Sequence, residues 1–230
     1  MNVRDRLFAL QDLPYRDFTA KLLPNVDKER IIGIRTPVLR AFAGDFSKEA
    51  EAAAFLAALP HYYLEENHLH AFLLERVRDY DACIRSLDAF LPYIDNWATC
   101  DTLHPACFGK NHARLHGDAL RWMQSEPLYT RRFGIGVLMG HFLDADFDPR
   151  DLKLVADIRT EEYYLSMMQA WYFATALAKQ YEAALPYLEQ RRLQPETHRR
   201  TIQKAIESRR VSEEHKAYLK TLKVKSSQCS

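Results

Sequence analysis

Glycine is scarce in this 230-residue chain, with 7 residues, and proline stands at 10. So few backbone punctuators leave little room for the turns of an all-β fold. No strand-length alternating run closes on a hairpin turn either. Cysteine is sparse as well: four residues, at 83, 100, 107 and 229, at spacings that suggest reduced thiols rather than a disulfide frame. The longest apolar run, around Phe133 to Met139, is too short to span a bilayer. Met1-Asn2-Val3-Arg4-Asp5-Arg6 carries charge where a secretory signal needs an apolar core. These absences predict a soluble cytoplasmic protein with no membrane association. There is no G-x-S-x-G elbow, no P-loop and no dinucleotide fingerprint, so the usual hydrolase and nucleotide-binding signatures are missing.

What is present favours helix. Hydrophobic residues make up 47% of the chain, enough for a core, and Ala, Leu, Arg and Glu are abundant. The net charge of +1 hides an asymmetry: residues 191–225 carry 11 Lys/Arg against 4 Asp/Glu, and the preceding residues are net acidic. A basic end is either a solvated tail or a surface for a phosphate-bearing partner.

Residues 1–60 read as short N-terminal helices with one marked turn, Gly33-Ile34-Arg35-Thr36-Pro37. Thr36 is the expected N-cap and Pro37 the first helical residue. Arg35 then stands before a helix N-terminus whose free N–H groups attract phosphate. Ser47 is expected to cap an Ala-rich helix that stops at Pro60. From residue 61 to 225 the chain becomes repetitive, with helix pairs beginning near Glu65, Asn96, Glu126, Glu161 and Pro195. Stacked pairs at this step predict an all-α superhelix, an α-solenoid with a concave binding face, forming a single domain over 1–230. Residues 226–230 are expected to be a disordered tail.

The turn Asp95-Asn96 offers an N-cap to Trp97-Ala98-Thr99-Cys100-Asp101. On a helix Trp97 and Asp101 share a face, which sets a π surface beside a carboxylate. That pair suits a cation or a transition state that becomes cationic, although a core Trp with a flanking Asp has the same spacing. Arg131 and Arg132 are adjacent in the first turns of a later helix, against its dipole, so a compensating anion is expected. Tyr163-Tyr164-Leu165 leads on to Trp171 at a similar depth in the next repeat. If the first helix of each pair lines the concave face, Trp97, Asp101, Arg132 and Trp171 converge there. Cys100, His104, Cys107, His112 and His116 are zinc-ligand types, but their spacing matches no closed zinc module, and no metal is assigned.

Together these motifs resemble the AlkD family of DNA alkylation repair glycosylases, built from HEAT-like repeats. The resemblance runs over roughly residues 15 to 220 and rests on Gly33-Ile34-Arg35-Thr36-Pro37, Trp97-x3-Asp101, Arg131-Arg132-Phe133-Gly134-Ile135 and Tyr163-Tyr164-Leu165 to Trp171. The chain departs from the family pattern at Met167, Ala170 and Ala174, which stand in place of Lys, Gly and Arg. The resemblance implies hydrolysis of the N-glycosidic bond of cationic N3- or N7-alkylated purines in duplex DNA, by a monomer, without cofactor. It implies that Asp101 stabilises the oxocarbenium-like transition state, that Trp97 and Trp171 face the deoxyribose, and that Arg132 holds a phosphate. Arg35, Thr36, Arg131, Lys204, Arg209 and Arg210 would bind the DNA backbone, assisted by His198 to Arg200. A non-catalytic DNA-binding repeat protein and a protein-interaction scaffold are the alternatives.

Overall fold

In the computed structural model, which describes residues 2–223, every regular element is a helix, and none of the described residues lies in a strand. The chain forms two compact units, residues 1–112 and 113–230. The expected tail over 226–230 lies outside the described residues.

The first unit holds α1 (Val3–Phe8), α2 (Leu13–Leu22), α3 (Thr36–Phe46), α4 (Glu51–Ala57), α5 (Leu64–Leu74), α6 (Tyr80–Phe90) and α7 (Trp97–Thr102). Its main core joins Leu7, Ile32, Ile34, Leu39, Phe46, Leu69 and Phe72. A second, smaller cluster of Leu23, Val26, Ile31 and Leu64 receives Trp97 and Ala98.

Two of the expected caps are corrected. Arg35, not Thr36, is the N-cap of α3, and no side chain caps that terminus. Pro37 still falls in the first turn, where a missing N–H costs nothing. Ser47 is the C-cap of α3, with its hydroxyl donating to the Gly44 carbonyl, and the Ala-rich α4 starts only at Glu51. A hydroxyl can satisfy either helix end, and here the preceding helix claims it.

The second unit holds α8 (His112–Met123), which starts at its boundary, then α9 (Leu128–His141), α10 (Pro149–Asp157), α11 (Tyr163–Lys179), α12 (Tyr181–Glu189), α13 (Pro195–Glu207) and α14 (Glu213–Thr221). α11 is its axis. Eleven of the 17 residues of α11 are buried, and α9 and α13 pack against it. A helix apolar nearly all round belongs in an interior, so the neighbours on both sides follow from its composition. Gln169 donates to the carbonyls of Val155 (2.9 Å) and Ile158 (3.0 Å), satisfying the C-terminal end of α10 from within the core. Gly134 lets α9 approach α8: a Cβ there would lie 2.5 Å from the Met123 backbone nitrogen and 2.6 Å from the Ala119 carbonyl oxygen.

Candidate functional site

The Trp97–Asp101 pair is built from the turn before it. Asn96, 1% exposed, accepts the Thr99 N–H at 2.8 Å and so caps α7. Its amide donates to the Asp95 carboxylate at 2.9 Å. The turn is pinned by the N-terminal part of the same unit: Asn25 donates to the Asp95 carbonyl at 2.8 Å. Arg30 pairs with the Asp95 carboxylate, also at 2.8 Å. α7 has only six residues, too few to persist alone, so these anchors and its packing on α5 hold it. Trp97 is half-buried: its inner edge packs on Leu23, Val26, Ile31 and Leu64, and its ring N–H points to the Leu22 carbonyl at 3.4 Å. Asp101, one turn on, is half-buried as well. The unit therefore presents part of an indole and a carboxylate on one helix face.

The turn carrying Arg35 and Thr36 is shaped by a residue that sequence reasoning assigned only to a helix start. Glu65, 2% exposed, accepts N–H groups from Ile32 (2.8 Å), Gly33 (2.7 Å) and Ile34 (3.2 Å). Burial pushes its carboxyl up, while those three donors pull it part of the way back. Gly33 sits at φ +89°, with Arg16 Cβ 2.5 Å from where a Cβ would be. Its carbonyl takes the Asp12 N–H at 2.7 Å. Arg35 is exposed, paired with Asp12 at 2.8 Å and set over the Tyr15 ring at 5.1 Å. The Tyr15 N–H and then Arg35 hold the Asp12 carboxyl below its ordinary value. Thr36 is exposed.

In the second unit Arg131 is half-buried, but Arg132 is turned inward and is 4% exposed. Its guanidinium donates to the Tyr164 carbonyl at 2.7 Å, tying α9 to the first turn of α11. The anion expected from sequence is thus replaced, for this N–H, by a backbone acceptor. Two adjacent arginines lie about 100° apart on a helix, and only the fold decides which one faces in. His198 is also buried, its ring bonded to the Leu222 carbonyl at 3.1 Å, so it ties α13 to the end of α14 instead of reaching outward.

Trp171 stays outside, 38% exposed. It borders a pocket of about 210 Å³ with Ala174, Thr175, Lys204, Glu207 and Arg210. A neighbouring pocket of about 300 Å³ shares Lys204 and Glu207 and is bordered by Tyr163, Met167 and Arg200. The two make one groove between α11 and α13, aromatic on one wall and mainly basic on the other. Arg200 lies 4.4 Å over the Tyr163 ring and 2.8 Å from Glu196. Arg209 is exposed just past α13. Glu207 and Met167 in this lining were not foreseen as ligand contacts, since a lone Glu among basic residues carries no pattern of its own.

The ligand types from Cys100 to His116 are dispersed. Cys100 and Cys107 are buried thiols, and Cys107 accepts a hydrogen bond from the Cys83 thiol. His116 pairs with the buried Asp151 at 2.9 Å. Among the described residues no group of three or more His, Cys, Asp or Glu is placed to hold a metal. Nor is any helix among them long and apolar enough to cross a membrane.

The family model described as DNA alkylation repair enzyme matches residues 3–163. The match takes in the Gly33 turn, the Trp97–Asp101 pair and Arg131-Arg132, and it stops before Trp171, Lys204, Arg209 and Arg210. A search of curated proteins finds no match. With more than two thirds of its length matched, and with the half-exposed Trp97–Asp101 face inside the match, the chain belongs to the DNA alkylation repair enzyme family.

Proposed function

We propose that the protein is a DNA glycosylase that hydrolyses the N-glycosidic bond of cationic N3- or N7-alkylated purines in duplex DNA. The observation that carries this reading is the Trp97–Asp101 face on α7, half-exposed and fixed by Asn96, in a member of a DNA alkylation repair family. Breaking the C1′–N bond develops positive charge on the sugar. A carboxylate at that face stabilises the charge and positions a water, and the indole adds its negative π face. An alkylated purine leaves as a neutral base, so no general acid is needed at the leaving group. Trp171 offers a second exposed indole, and Lys204, Arg209, Arg210 and Arg131 supply charge for backbone phosphates. Arg35 and Thr36 supply further contacts from the first unit. Arg132 acts by holding the start of α11 through Tyr164.

The test is release of 7-methylguanine or 3-methyladenine from methylated duplex DNA, measured chromatographically. Release by the parent protein and its loss in Asp101→Asn, with unchanged melting, support the reading. No release at any salt concentration rejects it. One observation favours a second reading, DNA binding without base release: the inward turn of Arg132, which takes one of the expected catalytic cations off the surface.

A further inference from the structure

Cys83 and Cys107 meet in the first unit although all of α7 lies between them in the chain. Cys83 stands in the first turns of α6, its N–H on the Asp79 carbonyl at 3.0 Å, and Asp79 caps that helix by accepting the Ala82 N–H at 2.7 Å. Cys107 follows α7. Its segment is fixed against the end of α5, where Glu75 accepts the Ala106 N–H at 3.1 Å through its carbonyl and the His104 N–H at 3.3 Å through its carboxylate. The Asn111 amide holds the Cys107 carbonyl at 2.8 Å. These bonds bring the two sulfurs within hydrogen-bond reach, Cys83 donating and Cys107 accepting. Thiols already in contact need little motion to join, whereas distant ones need the backbone to move. Cys83 is 0% exposed and Cys107 4%, but the cover over Cys107 is thin. Ala106 and Gly109 beside it are exposed, and a Cβ on Gly109 would meet nothing within 4 Å. Short irregular segments of this kind open by local fluctuation more readily than a helix core.

We propose that Cys83 and Cys107 form an oxidation site that a hydroperoxide converts to a disulfide, closing a covalent ring around the segment that carries Trp97 and Asp101. Cys107 reacts first. Burial raises its thiol and the bond from Cys83 pulls it part of the way back, whereas burial and that same bond both push Cys83 up. The Cys107 sulfur attacks a peroxide oxygen: the S–O bond forms, the O–O bond breaks and water leaves. The Cys83 sulfur then attacks the sulfenic acid. The S–S bond forms, the S–O bond breaks, and the Cys83 proton departs with the hydroxyl as a second water. Two thiols and one hydrogen peroxide thus give one disulfide and two waters, and a small thiol reverses the bond by exchange. The site works in this way whatever reaction the Trp97–Asp101 face performs, so its test stands apart from the glycosylase assay.

The full chain, first reduced and then treated with hydrogen peroxide, is blocked with a maleimide, digested with trypsin and read by mass spectrometry. Cleavage after Arg78, Arg85 and Lys110 puts Cys83 on one peptide and Cys100 with Cys107 on another, so fragmentation assigns the linked sulfur. The expected product is Cys83 joined to Cys107, in a chain that melts about 5–10 °C higher than the reduced one, the scale of closing such a loop. Dithiothreitol restores the reduced melting curve. In Cys83→Ala the resolving thiol is gone, and Cys107 is expected to stop at a sulfenic acid that dimedone traps. A native chain that yields no linked peptide overturns the inference. So does a native chain that yields only the mixture of Cys100 and Cys107 links given by urea-unfolded protein. A Cys83–Cys107 link that lowers the melting temperature overturns it as well, because the native geometry would then oppose the bond.

Discussion

The two units use charged side chains differently, although the second also buries two of them, Asp151 and Arg132, at 1% and 4% exposed. The first turns carboxylates inward: Glu65 and Glu66 are 2% and 3% exposed, and both accept backbone N–H groups that shape turns. Its helices are short, and polar anchors compensate for what they lack in apolar contact. The second relies on a long buried helix, α11, and leaves Lys204, Arg209 and Arg210 on or near the surface. On the function proposed above, polar groups in the first unit give geometry to a small chemical face, whereas those in the second give an extended surface for phosphates. A reaction centre needs positions fixed to a fraction of an ångström, and backbone binding tolerates more play.

The strongest way to break this contrast is Asp101→Asn. Base release from methylated DNA is expected to fall by about 100-fold or more, the scale of losing one group that stabilises transition-state charge. DNA affinity should barely change. An equal loss of affinity would move Asp101 from chemistry to binding.

Next in size are the two close-approach glycines, one per unit. Gly33→Ala and Gly134→Ala each force a Cβ to within 2.5 Å of a neighbouring atom, and both should lower stability by about 2–4 kcal/mol in denaturant titrations. Gly33→Ala also distorts the turn bearing Arg35, so it should weaken DNA binding beyond its effect on folding. Gly134→Ala should not.

A smaller effect separates the units by pH. His61 and His70 share a ring-to-ring hydrogen bond of 2.8 Å in the first unit. Burial lowers His61 to about 4 and His70 to about 3. Both stay neutral in the folded state, while the unfolded chain takes up protons below about 6.5. Stability is therefore full above pH 6.5 and declines as pH falls toward 4, at up to about 1.4 kcal/mol per pH unit for each histidine. His61→Gln should flatten that slope in melting experiments across this window. An unchanged slope would assign it to other groups.

Last comes Lys204→Gln, which should weaken binding to undamaged duplex only a few-fold. It should also lower the slope of log affinity against log salt by about one. A steeper loss would make the α11–α13 groove as exacting as the Trp97–Asp101 face, and the contrast would fail.

Much of the helix order was legible in the sequence. Starts expected near Glu65, Asn96, Glu126, Glu161 and Pro195 correspond to helices opening at Leu64, Trp97, Leu128, Tyr163 and Pro195. Punctuation by Asp, Asn, Ser and Pro is a local signal with a local cause, which is why it transfers. The spacing of Trp97 and Asp101 also fixed their shared helix face in advance. Which way Arg132 and His198 point was not legible, because each is decided by the helix packed against it. Glu65 was hidden for a different reason. An acidic residue in a first turn already has an explanation in the helix dipole, so nothing in the sequence betrays its three distant N–H partners.

Those three bonds change what the segment between α2 and α3 is. Irregular backbone normally exchanges its amide hydrogens with solvent through small local fluctuations. Here the amides of Ile32, Gly33 and Ile34 are bonded to a carboxylate buried on α5. They can exchange only when Glu65 leaves its place, which opens the core of the first unit. The loop should thus show helix-like protection in deuterium, and Arg35 at its end is carried on a rigid arm.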